Sequence, residues 1–243
     1  MSRIAQRFDR AAATYAGATP IQRQVAARLA ERIAQAGLDA GPRVAEFGCG
    51  AGYLPLAVWP QLPPRLWIAT DIAPGMVAAT AGVLPAEGLT AVMDAARPAL
   101  APGFDLVCSS LTLQWLDDPA AAIARWRALV APGGVLAVAT LVDGTFAQWR
   151  EALAQAGAGP QGPPFHTLEA ARAWFGGDVL IQTLTLTERH ANGLAFLKSA
   201  RAAGIDAGSG PAQNAGVMRR ALRAFEARGA AITYQVALIV ERI

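Results

Sequence analysis

The chain has little with which to staple itself or to hold a metal: two cysteines, Cys49 and Cys108, and two histidines, His166 and His190. Two cysteines make no disulfide framework. Met1-Ser2-Arg3-Ile4-Ala5-Gln6-Arg7 carries no apolar signal core, so a reduced, cytoplasmic setting is expected, with both thiols buried as small apolar side chains. The histidines lie far apart and lack metal-ligand spacing, which speaks against a zinc site. No apolar run reaches the roughly 18 residues that a membrane-spanning helix needs. Lysine is almost missing: Lys198 stands alone among 21 basic residues, and a net charge of +3 permits an acidic partner without demanding one. The chain also lacks the basic–aromatic cluster of a nucleic-acid reader. A monomer with neither membrane nor nucleic-acid partner is expected.

What is present alternates. Ile4, Phe8, Ala11, Ala12 and Tyr15 sit at helical spacing. The pattern breaks from Gly17 to Pro20, then resumes through Ile21, Val25, Leu29 and Ile33. Strands are predicted at 43–47, 65–70, 90–93, 104–109 and 135–141. Helices are predicted at 53–59, from Pro74, and at 119–130, the last stopped by Pro132-Gly133-Gly134. This alternation predicts an α/β fold with a doubly wound, mostly parallel sheet. Beyond Thr145 the pattern loosens. Helices are expected at 146–156, 168–175, 193–204 and 217–228, strands at 181–188 and 232–240, and loops at 157–164 and 208–216. No repeat and no second core is evident in 243 residues, so one domain is expected. Its parts are a helical cap (1–38), a ligand-binding core (42–142), and a substrate-side elaboration with a late helical insertion and closing strands (143–243).

Glu46-Phe47-Gly48-Cys49-Gly50-Ala51-Gly52 is the most informative stretch. Glycines let the backbone turn sharply and approach a ligand without a side-chain clash. At the end of a first parallel strand, they place that ligand at the sheet's switch point. Asp71 follows at the tip of the next strand, where a carboxylate can accept from both hydroxyls of a ribose. A dinucleotide reading requires G-x-G-x-x-G/A. Here the spacing is G-x-G-x-G, Tyr53 occupies the position of the last small residue, and Glu46 is foreign to that pattern.

These elements resemble the class I S-adenosylmethionine (SAM)-dependent methyltransferases. The resemblance implies that Glu46 holds the loop and the amino end of SAM, and that Gly48, Gly50 and Gly52 border its methionine portion. It implies that Asp71 binds the ribose and Asp94 meets the adenine amino group, with Cys49, Ile72, Met76, Ala95 and Ser109 completing the cofactor site. Pro132-Gly133-Gly134 ahead of the fifth strand matches the same family.

The resemblance continues outside the core. Phe8-Asp9-Arg10-Ala11-Ala12-Ala13-Thr14-Tyr15, Ile21-Gln22-Arg23-Gln24, Ser109-Ser110-Leu111-Thr112-Leu113-Gln114-Trp115 and Ile232-Thr233-Tyr234-Gln235-Val236 are similar to segments of the malonyl-acyl-carrier-protein O-methyltransferases of biotin synthesis. The implied reaction moves a methyl group from SAM to the free carboxylate of a malonyl thioester on an acidic carrier protein. A carboxylate with a reference pKa of ~4 is already ionised at neutral pH, so no general base is nominated. Tyr15 and Gln114 are the expected positioning residues. Arg23 is a candidate bidentate partner for a carboxylate, and Trp115 a candidate contact where substrate enters. Lys198, Arg201, Arg219, Arg220 and Arg223 are candidates for the carrier-facing surface. Two other readings stay open: the same chemistry on another small acid or a quinone-type acceptor, and a non-catalytic assembly protein that keeps only the fold.

Overall fold

In a computed structural model, the structure describes residues 3–86, 88–159, 164–205 and 214–243. Two helices open the chain, α1 (Arg3–Ala18) and α2 (Pro20–Ala34), broken at Thr19 where Pro20 starts a new first turn. There follow β1 (Arg43–Phe47), α3 (Tyr53–Val58), β2 (Leu66–Asp71), α4 (Pro74–Ala81) and β3 (Gly88–Val92). Next come β4 (Phe104–Ser110), a short 3-10 turn (Leu113–Trp115), α5 (Pro119–Arg127) and β5 (Val130–Leu141). The remainder is α6 (Ala147–Gln155), α7 (Leu168–Ala173), β6 (Val179–Arg189), α8 (Gly193–Ala202), α9 (Ala215–Glu226) and β7 (Ala231–Arg242).

The seven strands form one sheet in the order β3-β2-β1-β4-β5-β7-β6. The first five run parallel, and β7 pairs antiparallel with both β5 and β6. This is the doubly wound, mostly parallel architecture expected. The chain reverses direction across the sheet between β1 and β4, which opens a crevice at the strands' carboxyl ends.

Side chains alternate across the pleat, so each strand feeds two cores. Val44, Leu106, Cys108, Ala137, Val236 and Leu238 pack with α2, α3, α6, α8 and α9. Ala45, Phe47, Val107, Leu136, Val138 and Ile239 pack with α5 and α7 on the opposite face. Strands covered on both sides read as near-continuous apolar runs, as these do.

Most element boundaries differ from expectation by one to three residues, among them the helix expected at 119–130, which ends at Arg127; the start of β5 differs most. β5 begins at Val130, so Pro132, Gly133 and Gly134 lie inside the strand instead of preceding it. A Cβ at Gly134 would press on Val130 and on the Asp105 carbonyl, so the irregular start of the β4–β5 ladder is built on glycine. β3 lies two residues earlier at its start than expected, at Gly88. The 208–216 loop falls mainly, and the 157–164 loop partly, outside the described residues.

The first helix is what positions the site. Asp9 on α1 accepts a hydrogen bond from the Gly75 backbone at 2.7 Å, tying α1 to the start of α4. Thr14 donates to the Ala202 carbonyl at 3.2 Å, and Phe8 lies against Gly204, which ties α1 to the end of α8. α1 therefore bridges the two sides of the crevice as a roof.

Candidate active site

A cavity of about 420 Å³ occupies the crevice under α1. One end is built by the tips of β2 and β3: Asp71, Ile72, Met93, Asp94 and Ala95. The other is built where β5 and β7 leave the sheet: Leu141, Phe146, Phe165 and Tyr234. β3 and β7 are five strand spacings apart in the sheet order, so the two ends are separated by roughly 24 Å of sheet at ~4.8 Å per strand. A cavity of that reach can hold two ligands end to end.

The glycine loop forms its floor. Gly48 and Gly50 hold φ of 74° and 54°, left-handed values that favour glycine. A Cβ on Gly48 would overlap the Thr112 hydroxyl, so the loop can close under the 3-10 turn only without a side chain there. Gly50 carries the other demand: its bare face lies under Tyr15, whose ring would be 3.7 Å from an added Cβ. Gly52 does not line the cavity. It faces Thr80 and Val83 at the end of α4, and it supports the loop from behind.

Asp71 ties the loop to β2. One carboxylate oxygen accepts the Gly50 N–H at 3.1 Å and the other the Ala73 N–H at 2.9 Å. Burial raises its pKa, with these backbone donors pulling the other way. The Ile72 N–H acts in the same sense, and the carboxylate lines the cavity. Asp94 accepts from Ala96 N at 2.9 Å and lines the same end. Glu46 is 1% exposed, and its carboxylate accepts the Trp67 indole N–H at 2.9 Å. Burial pushes its pKa up to about 8, with the Trp67 bond opposing and Asp71 adding. Glu46 opens on a recess of about 30 Å³ beneath the loop, shared with Tyr15, Gln22, Cys49, Gly50 and Ser110. Burial also pushes both cysteine thiols well up, so Cys49 and Cys108 are inert packing groups at neutral pH.

The roof and far wall are aromatic. Phe8 packs edge-on against Trp115 at 5.5 Å, and Phe146 edge-on against Tyr234 at 5.1 Å. Leu111 and Phe146 both line the cavity, and both hold left-handed φ of 57° and 61°, costly for bulky side chains. Leu111 is fixed by its N–H to the Ala139 carbonyl at 2.8 Å, and Phe146 by its N–H to Thr233 at 2.8 Å. The Gln114 amide donates to Leu111 O at 2.7 Å and accepts from Thr140, so its orientation is set before any ligand arrives.

The structure brings together Tyr15, Gly48, Gly50, Asp71, Ile72, Met76, Asp94, Ala95, Gln114 and Trp115 on one cavity. Of the other expected residues, Glu46 and Cys49 border the recess beneath the loop, Gly52 lies behind it, and Ser109 and Arg23 point away. Ser109 is fully buried and donates to Phe47 O at 2.7 Å inside the sheet; the next residue, Ser110, reaches the cavity. Arg23 is exposed, with its guanidinium 5.2 Å from the Tyr53 ring centroid, and its neighbour Gln22 faces the site. Both corrections are one-residue shifts, because adjacent positions on a strand or helix point apart. Lys198 and Arg201 are exposed on α8, and Arg219 and Arg223 on α9. Arg220 is exposed as well, but one of its guanidinium nitrogens donates to the Ala156 carbonyl at 3.1 Å. Sequence reasoning did not name Gln22, Ser110, Phe146 and Tyr234 as wall residues, although Gln22, Ser110 and Tyr234 lie in the segments that carry the family resemblance and the alternation of its strand could have aimed Tyr234. Among the described residues no cluster of metal-ligating side chains occurs, and no helix is long and apolar enough to cross a membrane.

Residues 45–136 match the family model described as a methyltransferase domain. The chain is 40% identical to the biotin biosynthesis bifunctional protein BioCD of Bordetella avium, over 96% of this chain and 51% of that protein. It is 35% identical to the malonyl-[acyl-carrier protein] O-methyltransferase of Magnetococcus marinus, over 96% of this chain and 90% of that one. The chain thus spans about half the length of the Bordetella protein and nearly all of the Magnetococcus protein. Among solved structures, the YcgJ protein of Bacillus subtilis superposes with a TM-score of 0.64 at 16% identity, over 88% of this chain and 97% of that one. The [4+2]-cyclase SpnF superposes with a TM-score of 0.54 at 21% identity, over 90% and 82%. At such identities these likenesses show the fold alone.

Proposed function

The chain belongs to the malonyl-[acyl-carrier protein] O-methyltransferase family, and from that premise we propose that it methylates the free carboxylate of a malonyl thioester carried on acyl carrier protein, using SAM as donor. The same reading has it act in the cytoplasm, as a monomer, at the step that makes the methyl ester for biotin synthesis.

The observation that carries the proposal is the division of the cavity. Its β2–β3 end offers carboxylates, Asp71 and Asp94, and its β5–β7 end offers aromatic and aliphatic walls. The first suits a ribose and an adenine amino group; the second suits an acyl arm. The residues fit the donor. Gly50 presents bare backbone under Tyr15, Asp71 lines the cavity at the strand tip, and Glu46 opens on the recess beneath the loop. Asp71 would hold the ribose hydroxyls, Asp94 the adenine, and Glu46 the amino end. When bound, SAM supplies an electrophilic methyl group on a positively charged sulfur.

The remaining work belongs to the chain. An ionised carboxylate needs no proton removed, only alignment, and near-attack positioning is worth on the order of 7–11 kcal/mol. The described lining contains no histidine, lysine or cysteine. Phe8, Tyr15 and Trp115 roof the junction and exclude water. The orientation-locked Gln114 and the hydroxyls of Tyr15, Ser110 and Thr112 line the acceptor's route.

The test is methyl transfer from SAM to malonyl-carrier protein with the product mass measured, alongside malonyl-CoA and free malonate. A gain of one methyl group on the malonyl carrier supports the proposal. SAM binding without that product defeats the substrate while leaving the donor. The SpnF likeness makes the control necessary, since the fold alone does not dictate methyl transfer.

A further inference from the structure

Two tyrosines line the cavity, and their protons are placed differently. The Tyr15 hydroxyl, over the glycine loop, has no hydrogen-bond partner among the described residues. Burial pushes its phenol up, with Tyr53 and Asp71 adding, so it keeps its proton and can donate. Gln22, whose amide is uncommitted among the described residues, borders both ends: it shares the recess beneath the loop with Tyr15 and a recess of about 10 Å³ with Tyr234, Glu188 and His190. At the far wall, Tyr234 donates to the Glu188 carboxylate at 3.0 Å, so its proton is already spent.

The antiparallel hairpin sets this up. β6 and β7 pair Leu186 with Tyr234 and Glu188 with Ile232, so Glu188 lies diagonally across from Tyr234 on the same sheet face. Behind the carboxylate stands His190, whose Nε2 is 3.6 Å from the Glu188 oxygen that Tyr234 uses. The His190 side chain is 7% exposed and that of Glu188 19%, and the buried His190 Nε2 has no hydrogen-bond partner. The ring is held by Phe196, 5.4 Å between centroids, and the backbone by its N–H to Ala230 O at 2.9 Å. Burying a carboxylate and an imidazole costs free energy, and neither touches the cavity where the methyl donor fits.

We propose that Glu188 and His190 are positioning residues that keep the Tyr234 proton out of the cavity, so that Tyr234 gives an acceptor carboxylate no hydrogen bond at the far wall and the carboxylate is turned toward the uncommitted Tyr15 hydroxyl over the glycine loop. Tyr234 then offers the bound acceptor only an aromatic face and oxygen lone pairs. A malonyl thioester has two ends with carbonyl oxygens, and one orientation is productive. The wall discriminates between them by withholding a hydrogen bond from the carboxylate in the wrong one. The inference rests on the malonyl thioester reading above and deepens it.

The test uses the full chain with malonyl-carrier protein and SAM. Glu188→Leu frees the Tyr234 proton to enter the cavity and should favour non-productive binding. In that case kcat and the acceptor KM fall together, by about tenfold, and kcat/KM stays near wild type. Removing the freed hydroxyl should repair the defect: the double variant Glu188→Leu, Tyr234→Phe is expected to recover at least fivefold in kcat over Glu188→Leu alone. A merely structural role for Glu188 would also be relieved by the second truncation, since both partners of the buried bond are then gone, but it would show as a lower urea midpoint without the paired fall in kcat and KM. His190→Leu should show the same paired fall at two- to threefold. SAM affinity by calorimetry should be unchanged in all three. Glu188→Ala gives the same readout should Glu188→Leu not fold. No rescue in the double variant, or a rise in KM at constant kcat, overturns the inference while wild-type turnover keeps the substrate reading intact. If the wild type makes no malonyl methyl ester, the substrate reading falls and takes this inference with it.

Discussion

Glu46 lies wholly inside the sheet, yet its carboxylate meets a single indole N–H, that of Trp67 at 2.9 Å. Burial holds its pKa at about 8, far above an ordinary glutamate. Below that value the empty site carries a neutral Glu46. A cationic amino group arriving beside it favours the carboxylate, so binding must release a proton. SAM affinity is therefore expected to rise with pH between 6 and 7, by up to about tenfold per unit. Calorimetry in buffers of different ionisation enthalpy would count the proton released. Glu46→Gln should weaken binding and flatten the pH dependence. An affinity independent of pH in the wild type would remove Glu46 from the amino-end role.

The contact between Gly48 and Thr112 makes a second, steric prediction. Gly48 has φ of 74°, and any Cβ there would overlap the Thr112 side chain. Gly48→Ala combines backbone strain of about 1 kcal/mol or more with a clash of about 1–3 kcal/mol. It should lower the urea midpoint and abolish measurable SAM binding. Gly133→Ala is the control. Gly133 has a similar φ of 79° but open space around it, so it should show the strain alone and bind SAM normally.

The loop of Gly48 was legible in sequence because few backbones need glycines at that spacing after an apolar strand and before a helix. The five parallel strands were legible for a related reason: a strand buried on both faces reads as an apolar run, and its turn residues punctuate it. Side-chain direction at element ends was harder. Ser109 and Ser110 differ only by a half-period of the strand, and composition favours neither for the cavity. Arg23 and Gln22 pose the same problem one residue apart on α2. The tie between Tyr234 and Glu188 depends on the register of β6 against β7, 46 residues apart in sequence. That register is set by packing across the sheet, so local pattern could not announce it. The start of β5 misled for another reason. Pro132-Gly133-Gly134 reads as a stop, but an irregular ladder absorbs it inside the strand.

Arg127 and Glu241 close the sheet away from the site. Glu241 is nearly buried, at 3% side-chain exposure, and meets the Arg127 guanidinium at 2.9 Å and the Gly176 N–H at 2.7 Å. Removing the guanidinium would leave a buried carboxylate with one backbone donor. Arg127→Leu is expected to cost about 3–5 kcal/mol of stability, read as a lower urea midpoint at constant slope. Below that midpoint SAM binding should be normal, because neither residue lines the cavity. The milder Glu241→Gln should cost clearly less, since it removes the charge that needs pairing.

The carrier-facing surface gives the last expectation, and the structure narrows it. Lys198 and Arg201 are three residues apart on α8, hence neighbours on one helix face, and both are exposed. Arg220 is tied to Ala156 O and is a poor test of recognition, because changing it also disturbs the junction of α6 and α9. Arg201→Glu is therefore the informative variant. On an acidic carrier it should lower kcat/KM by roughly 3–10-fold at low ionic strength, through slower encounter. On malonyl N-acetylcysteamine, which has no carrier and no charge on its arm, the rate should not change. At 1 M salt, where charges are screened beyond about 3 Å, the difference between variant and wild type should largely vanish. A loss that is equal on both substrates, or that survives high salt, would mean that Arg201 supports α8 rather than greeting a carrier.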